Sequence, residues 1–177
     1  QFIVFDLVDK QPALGNRIPS QNISGLSNYP NYIIVTSAEL QNEAAELAQY
    51  RLQQGLVSVL VTQTQIFNEF SSGAKDPSAI RDYVKFLWDR AIADGQREPE
   101  YLLLFGDTTY DTKDITPNAL TNHVLTYQSQ ESSNRIGTFG TDDFFGYLDD
   151  SEGSIGSGET SSSYLMDIGI GRITVQT

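Results

Sequence analysis

Between Ile136 and Gly171 the chain carries the acids Asp142, Asp143, Asp149, Asp150, Glu152, Glu159 and Asp167, and no lysine or arginine. Asp107 precedes them, directly after Gly106 at the end of the apolar run Tyr101–Phe105. Carboxylates in Gly- and Ser-rich loops suit hard cations such as Ca²⁺, which take about six to eight oxygens, many of them loop carbonyls. The spacing is not that of an EF-hand. The bland counterpart is a solvated acidic loop without metal. For Asp107 it is a carboxylate that orders its own loop through backbone N–H groups.

Other chemistries find less support. Asp107 as a phospho-acceptor would need a companion acid pair after the first strand, and Tyr32–Ser37 ends without one. A nucleotide loop would need G-x-x-x-x-G-K-[ST] or G-x-G-x-x-G, and neither occurs. His123 is the single histidine, in a Thr-Asn-His context, and no G-x-S-x-G accompanies the many serines, so His123 reads as a surface or packing residue. Arg172, after Gly171, reads as the partner of a nearby acid. Phe139, Phe144, Phe145 and Tyr147 read as pins holding the acidic loop to the core.

The formal charge of −12 argues against nucleic acid or an anionic membrane surface as partner, since both need clustered lysine and arginine. The 177 residues include no cysteine, which excludes disulfides, thiolate metal sites and a cysteine nucleophile within this chain. No apolar run approaches the ~18 residues of a membrane span. The chain starts at Gln1 and stops at Thr177 just after a strand-like run, as a piece of a longer protein would.

The elements that must position these residues alternate. Residues 1–30 read as a β-rich stretch and an extended connecting arm. Tyr32–Thr36 is the first clear strand, with Ser37 placed to cap a helix whose stripe is Leu40, Ala44, Leu47, Ala48 and Leu52. Leu56–Val61 predicts a second strand and Gln63–Phe70 a short helix. Asp76–Pro77 opens a helix with the stripe Ile80, Val84, Leu87, Trp88 and Ala91. Tyr101–Phe105 reads as a strand buried on both faces, and Ile168–Arg172 as the last strand. The order predicts an α/β, doubly wound, mainly parallel sheet, with Asp107 and Asp167 converging at its carboxyl edge.

Several stretches in order carry a resemblance: Asn68–Tyr83 with its Lys-Asp-Pro-Ser-Ala-Ile-Arg centre, Tyr101–Asp107, Thr126–Ser129, Thr141–Gly146 and Asp167–Arg172. Together the chain resembles the gingipain family of cysteine peptidases, in particular the sortase-like branch serving the type IX secretion system of Bacteroidetes. The resemblance runs over about residues 29–174, with Gln21–Leu26 similar to the segment preceding the domain.

That resemblance implies a caspase-like fold and thiol acyl transfer. It implies removal of C-terminal sorting signals from secreted cargo and attachment of that cargo at the cell surface, on the outer face of the outer membrane. In the family the Gly-His-Gly loop and the cysteine follow the Gly-Arg strand, so residues 31–177 are expected to be the first, non-catalytic subdomain. The implied partners are the catalytic subdomain of the same parent chain, secreted cargo and proteins of the secretion and attachment complex. The resemblance also implies calcium, with Asp107 and Asp167 matching by position and Asp142, Asp143 and Asp149 as further candidates. The stretch Asp149–Ser163 departs from the family pattern. The alternative is a non-enzymatic surface-attachment module on the same scaffold.

Overall fold

The computed structural model describes residues 17–113, 115–117, 120–129, 138–153 and 165–177. Strands β1 (Tyr32–Thr36), β2 (Ser58–Thr62), β3 (Tyr101–Phe105) and β6 (Gly169–Ile173) form one sheet in the order β2-β1-β3-β6. Every neighbouring pair is parallel, with Ile34 opposite Leu60 and Leu103, and Leu103 opposite Gly171. β4 (Tyr127–Gln128) and β5 (Gly140–Thr141) make a separate antiparallel ribbon.

The chain leaves β1 toward one side of the sheet and returns to β3 on the other. Right-handed crossovers in opposite directions must lie on opposite faces. Accordingly α1 (Gln41–Gln53) covers one face, packing Leu40 and Ala44 on Ile34, Leu103 and Phe105. Helices α2 (Gln63–Phe70) and α3 (Ser78–Ala93) cover the other, with Ile66, Ile80, Val84 and Leu87 on Ile33, Val35, Leu102 and Leu104. Alternate residues of a strand point to opposite faces, which is why Ile33 and Ile34 belong to different cores. The expected doubly wound α/β fold is present, and the reversal of strand order falls between β1 and β3.

Local chemistry sets the element ends, with some departures from expectation. The Thr62 hydroxyl accepts from Gln65 N–H while the Gln65 side chain accepts from Thr62 N–H, a reciprocal cap that starts α2. Asp76 Oδ1 accepts from Ser78 N–H at 2.9 Å, so Asp76 does satisfy the first turn of α3. Ser37 does not cap α1. The helix begins four residues later, after Leu40, and the Ser37 hydroxyl is turned inward instead. Leu52, expected on the buried stripe, is 59% exposed in the last turn of α1. Tyr101 is 44% exposed, while Leu102 to Phe105 are buried as expected.

The described arm, from residue 17 to 30, lies against α2 and α3. Glu69 accepts from the N–H groups of Ile23 and Ser24, and Arg90 donates to the carbonyls of Leu26 and Asn28 while stacking on Tyr29. A 3-10 turn, Asp143–Gly146, packs Phe144 and Phe145 into the core, and Phe144 stacks on Tyr127 with ring centroids 3.8 Å apart. Phe139, which the sequence also suggests as a pin, instead stands half exposed beside the ribbon. Residues 1–16 and most of Asp149–Ser163 lie outside the described residues.

Candidate functional site

The reversal between β1 and β3 is where open α/β sheets gather loops and ligands, at the carboxyl ends of the strands. Here β1 ends in Thr36–Ser37 and β3 in Gly106–Asp107. Gly106 has φ +147° and makes the turn. A Cβ on it would come within 2.5 Å of the His123 Cβ. His123 fills the crevice. It is 1% exposed, its N–H donates to the Asp107 carbonyl at 3.0 Å, and its Nδ1 lies 3.0 Å from Ser37 Oγ.

A serine hydroxyl 3.0 Å from an imidazole is the contact of an activated nucleophile. Access decides against that role, because Ser37 is 6% exposed and no substrate carbonyl reaches it. The Ser37 hydroxyl also contributes to holding the Glu39 carboxyl below its usual range, after Glu39's own backbone N–H. The Ser37–His123 pair is therefore a packed polar plug. This confirms the packing alternative for His123.

Arg172 gathers the site. From β6 its Nε and Nη2 grip the two Asp142 oxygens at 2.7 Å each. Nη1 donates to the carbonyls of Gly106 (2.9 Å) and Val124 (2.8 Å), and Nη2 also to Leu125 (3.3 Å). All five guanidinium donors are thus used, and the side chain is 9% exposed. Asp142 takes a further bond from the Thr126 hydroxyl at 2.8 Å. One side chain thereby ties the last strand, the end of β3, the segment after His123 and the 3-10 turn together. Arginine pairing with a nearby acid is the role its position after Gly171 suggested.

The five carboxylates considered for calcium are not brought together. Asp107 lies at the carboxyl edge, where Gln176 Nε2 (2.9 Å) and Thr108 N–H (2.8 Å) bind its oxygens and, with Arg172 and His123 nearby, hold its carboxyl below the usual range. Asp167 precedes β6. Because β6 runs parallel to β3, Asp167 lies at the amino edge, farther from Asp107 than the roughly 16 Å length of the five-residue strand between them. There its Oδ2 accepts from Leu148 N–H at 2.9 Å. The expected convergence overlooked that a residue entering a parallel strand sits opposite one leaving its neighbour. Asp142 is held by Arg172, and Asp143 is exposed on the 3-10 turn. Asp149 lies against α3, its carbonyl taken by Arg81. No group of three or more metal-binding side chains occurs among the described residues.

Asp111 is a further carboxylate at this edge, buried in the loop after β3. Its oxygens accept from Ile115 N–H (3.0 Å) and Thr116 N–H (2.6 Å), which hold its carboxyl below the usual range. A depressed folded-state value adds stability above the unfolded value of about 3.9 and loses it as pH falls through the folded one. The Ile115 and Thr116 amide resonances should accordingly shift together below pH ~3.9. A midpoint at or above that value in an NMR titration would show that these bonds do not form.

The family model of peptidase family C25 matches residues 26–177. The chain therefore belongs to peptidase family C25, the gingipain-like cysteine peptidases. It is similar to PorU from Porphyromonas gingivalis, whose dimeric latent form has a crystal structure: 34% sequence identity over 85% of this chain, with a TM-score of 0.68. The match spans 14% of that PorU chain. No curated protein matches the chain. The α/β sheet with helices on both faces is thus the fold of this part of PorU. No helix among the described residues is long and apolar enough to cross a membrane.

Proposed function

We propose that this domain is the non-catalytic half of a gingipain-like cysteine peptidase of the sortase type. In that reading it belongs to a longer protein that removes C-terminal sorting signals from secreted proteins and joins them to the cell surface. The observation that carries the reading is a match to a cysteine peptidase family along residues 26–177 of a chain without cysteine. The nucleophile must then come from outside these residues. The one histidine is buried on Ser37 and cannot serve as its base.

What the domain contributes is a wall and a foundation. At the carboxyl edge all five guanidinium donors of Arg172 are engaged, which holds the strand ends and loops in one shape. Its partners in this reading are the catalytic half of the same parent protein, secreted cargo, and the proteins of a type IX secretion and attachment complex. The purified chain should show no thiol-dependent cleavage of fluorogenic peptides or of a sorting-signal substrate. Cleavage that survives rigorous purification and is blocked by a thiol reagent would sink the assignment, since this chain has no thiol to block.

The five candidate carboxylates do not fit one calcium site, because they occupy both edges of the sheet and Asp142 is already neutralised by Arg172. A ligand bound only by the folded state raises the melting temperature. We accordingly expect the same Tm in millimolar calcium and in excess chelator. A rise of several degrees with calcium would show that loop oxygens assemble a site which these five side chains do not.

A further inference from the structure

We propose that the carboxyl edge carries a docking cleft for an extended, basic polypeptide segment with an aromatic or aliphatic anchor, a binding activity of this domain itself. The loop between Asp107 and His123 closes at its neck, where the N–H groups of His123 and Val124 donate to the Asp107 carbonyl at 3.0 and 3.3 Å. Its interior is filled by polar side chains. Asp111 accepts from Ile115 and Thr116, Asn122 Oδ1 accepts from Thr109 N–H at 2.6 Å, and Asn122 Nδ2 donates to the Asp111 carbonyl at 2.8 Å. The apolar residues point the other way: Tyr110 is 79% exposed, Ile115 75% and Leu120 61%.

The loop thus buries the carboxylate of Asp111 while Tyr110, Ile115 and Leu120 stand exposed. Exposed apolar side chains that meet at a cleft mark binding surfaces, and Tyr110 meets Phe139 at one. Between this loop and the β4–β5 ribbon lies a cleft of about 570 Å³, flanked by Tyr110 and the half-exposed Phe139 and floored by Thr108, Thr126, Gln128 and Gly140. Gln128 Nε2 donates to the Tyr110 carbonyl, fixing one wall to the other. This volume is that of a small-ligand pocket, and it accommodates one or two side chains of an extended peptide.

Charge selects the occupant. The cleft walls are uncharged, but their surroundings are acidic. Asp142 is balanced by Arg172, and the other charged side chains on the described residues of the loop and ribbon are Asp107, Asp111 and Asp143 against Lys113. On a chain of net charge −12, an apolar anchor with flanking lysines or arginines is the complementary ligand. The site does not depend on where the peptidase nucleophile resides.

The test uses fluorescein-labelled decapeptides in a Gly/Ser background, one with a Phe between two lysines, one with Ser in place of the Phe, and one with Glu in place of the lysines. Fluorescence anisotropy with the full chain should show saturable binding of the first and at least tenfold weaker binding of the other two. Tyr110→Ser and Phe139→Ser, each exposed enough to leave Tm unchanged, should each weaken binding about tenfold, while Tyr50→Ser on α1 should not. Absence of binding, equal binding by the three peptides, or binding unchanged in Tyr110→Ser and Phe139→Ser would overturn the proposal. So would a concentration-dependent dimer that Tyr110→Ser abolishes, because a second copy would then be the occupant. Cleavage is not read, so a failure here leaves the peptidase assignment standing, and the reverse also holds.

Discussion

Arg172→Met is expected to lower the unfolding free energy by about 3–5 kcal/mol, the cost of breaking a largely buried ion pair by removing one partner. The substitution keeps most of the side-chain volume and removes every donor. It leaves the Asp142 carboxylate beside the Thr126 hydroxyl without its counter-charge, and strands the carbonyls of Gly106, Val124 and Leu125. Because Asp142 is 24% exposed, water recovers part of the loss, which favours the lower end of that range. Arg172→Lys keeps the charge but offers three donors on one nitrogen where the site uses five on three, so it should restore less than half of the difference. Paired Arg172→Met and Asp142→Asn measurements separate the two contributions, since the double variant should be less destabilised than the sum. Strict additivity in urea unfolding would show that the two side chains do not interact.

Gly106→Ala is the second large effect, expected at about 2–4 kcal/mol for backbone strain and a clash together. The position combines φ +147°, which side chains rarely adopt, with a Cβ placed 2.5 Å from the His123 Cβ. The neighbour cannot retreat cheaply, since His123 is held by Asp107 through its backbone and by Ser37 through its ring. Gly106→Ala combined with His123→Gly removes the clash and keeps the strain, so part of the loss should return. A Gly106→Ala variant as stable as the parent chain would mean that β3 does not end as described.

How much of this was legible in the residues follows from which signals are local. The strands Tyr32–Thr36 and Tyr101–Phe105 and the helix after Asp76–Pro77 announce themselves through β-branched runs and a 3.6-residue period, and the α/β order follows from their alternation. Strand ends moved by one or two residues, because pairing register and not composition fixes them. The Ser37–His123 contact was not legible, since it joins residues 86 apart in sequence through a strand reversal. A sharper reading of that reversal would have placed Ser37 beside Asp107, and any polar residue closing the loop after Asp107 beside both. The supposed meeting of Asp107 with Asp167 failed on topology alone, since in a parallel sheet the start of one strand faces away from the end of the next. Arg172 was legible as half of an ion pair, but its three further acceptors, the carbonyls of Gly106, Val124 and Leu125, lie in segments without regular period. Leu52 shows the limit of helical stripes, for it stands 59% exposed in the last turn of α1 although the period places it on the buried face.

In the function proposed above, this peptidase family C25 domain without a cysteine is the supporting half of a catalytic pair. The most direct measurement is the coding sequence for the region after the Thr177 codon in the parent gene. The account predicts a Gly-His-Gly loop followed, some tens of residues later, by a cysteine at the end of an apolar strand. A continuation lacking either residue would contradict it, and would make the protein a binding or attachment module built on a peptidase scaffold.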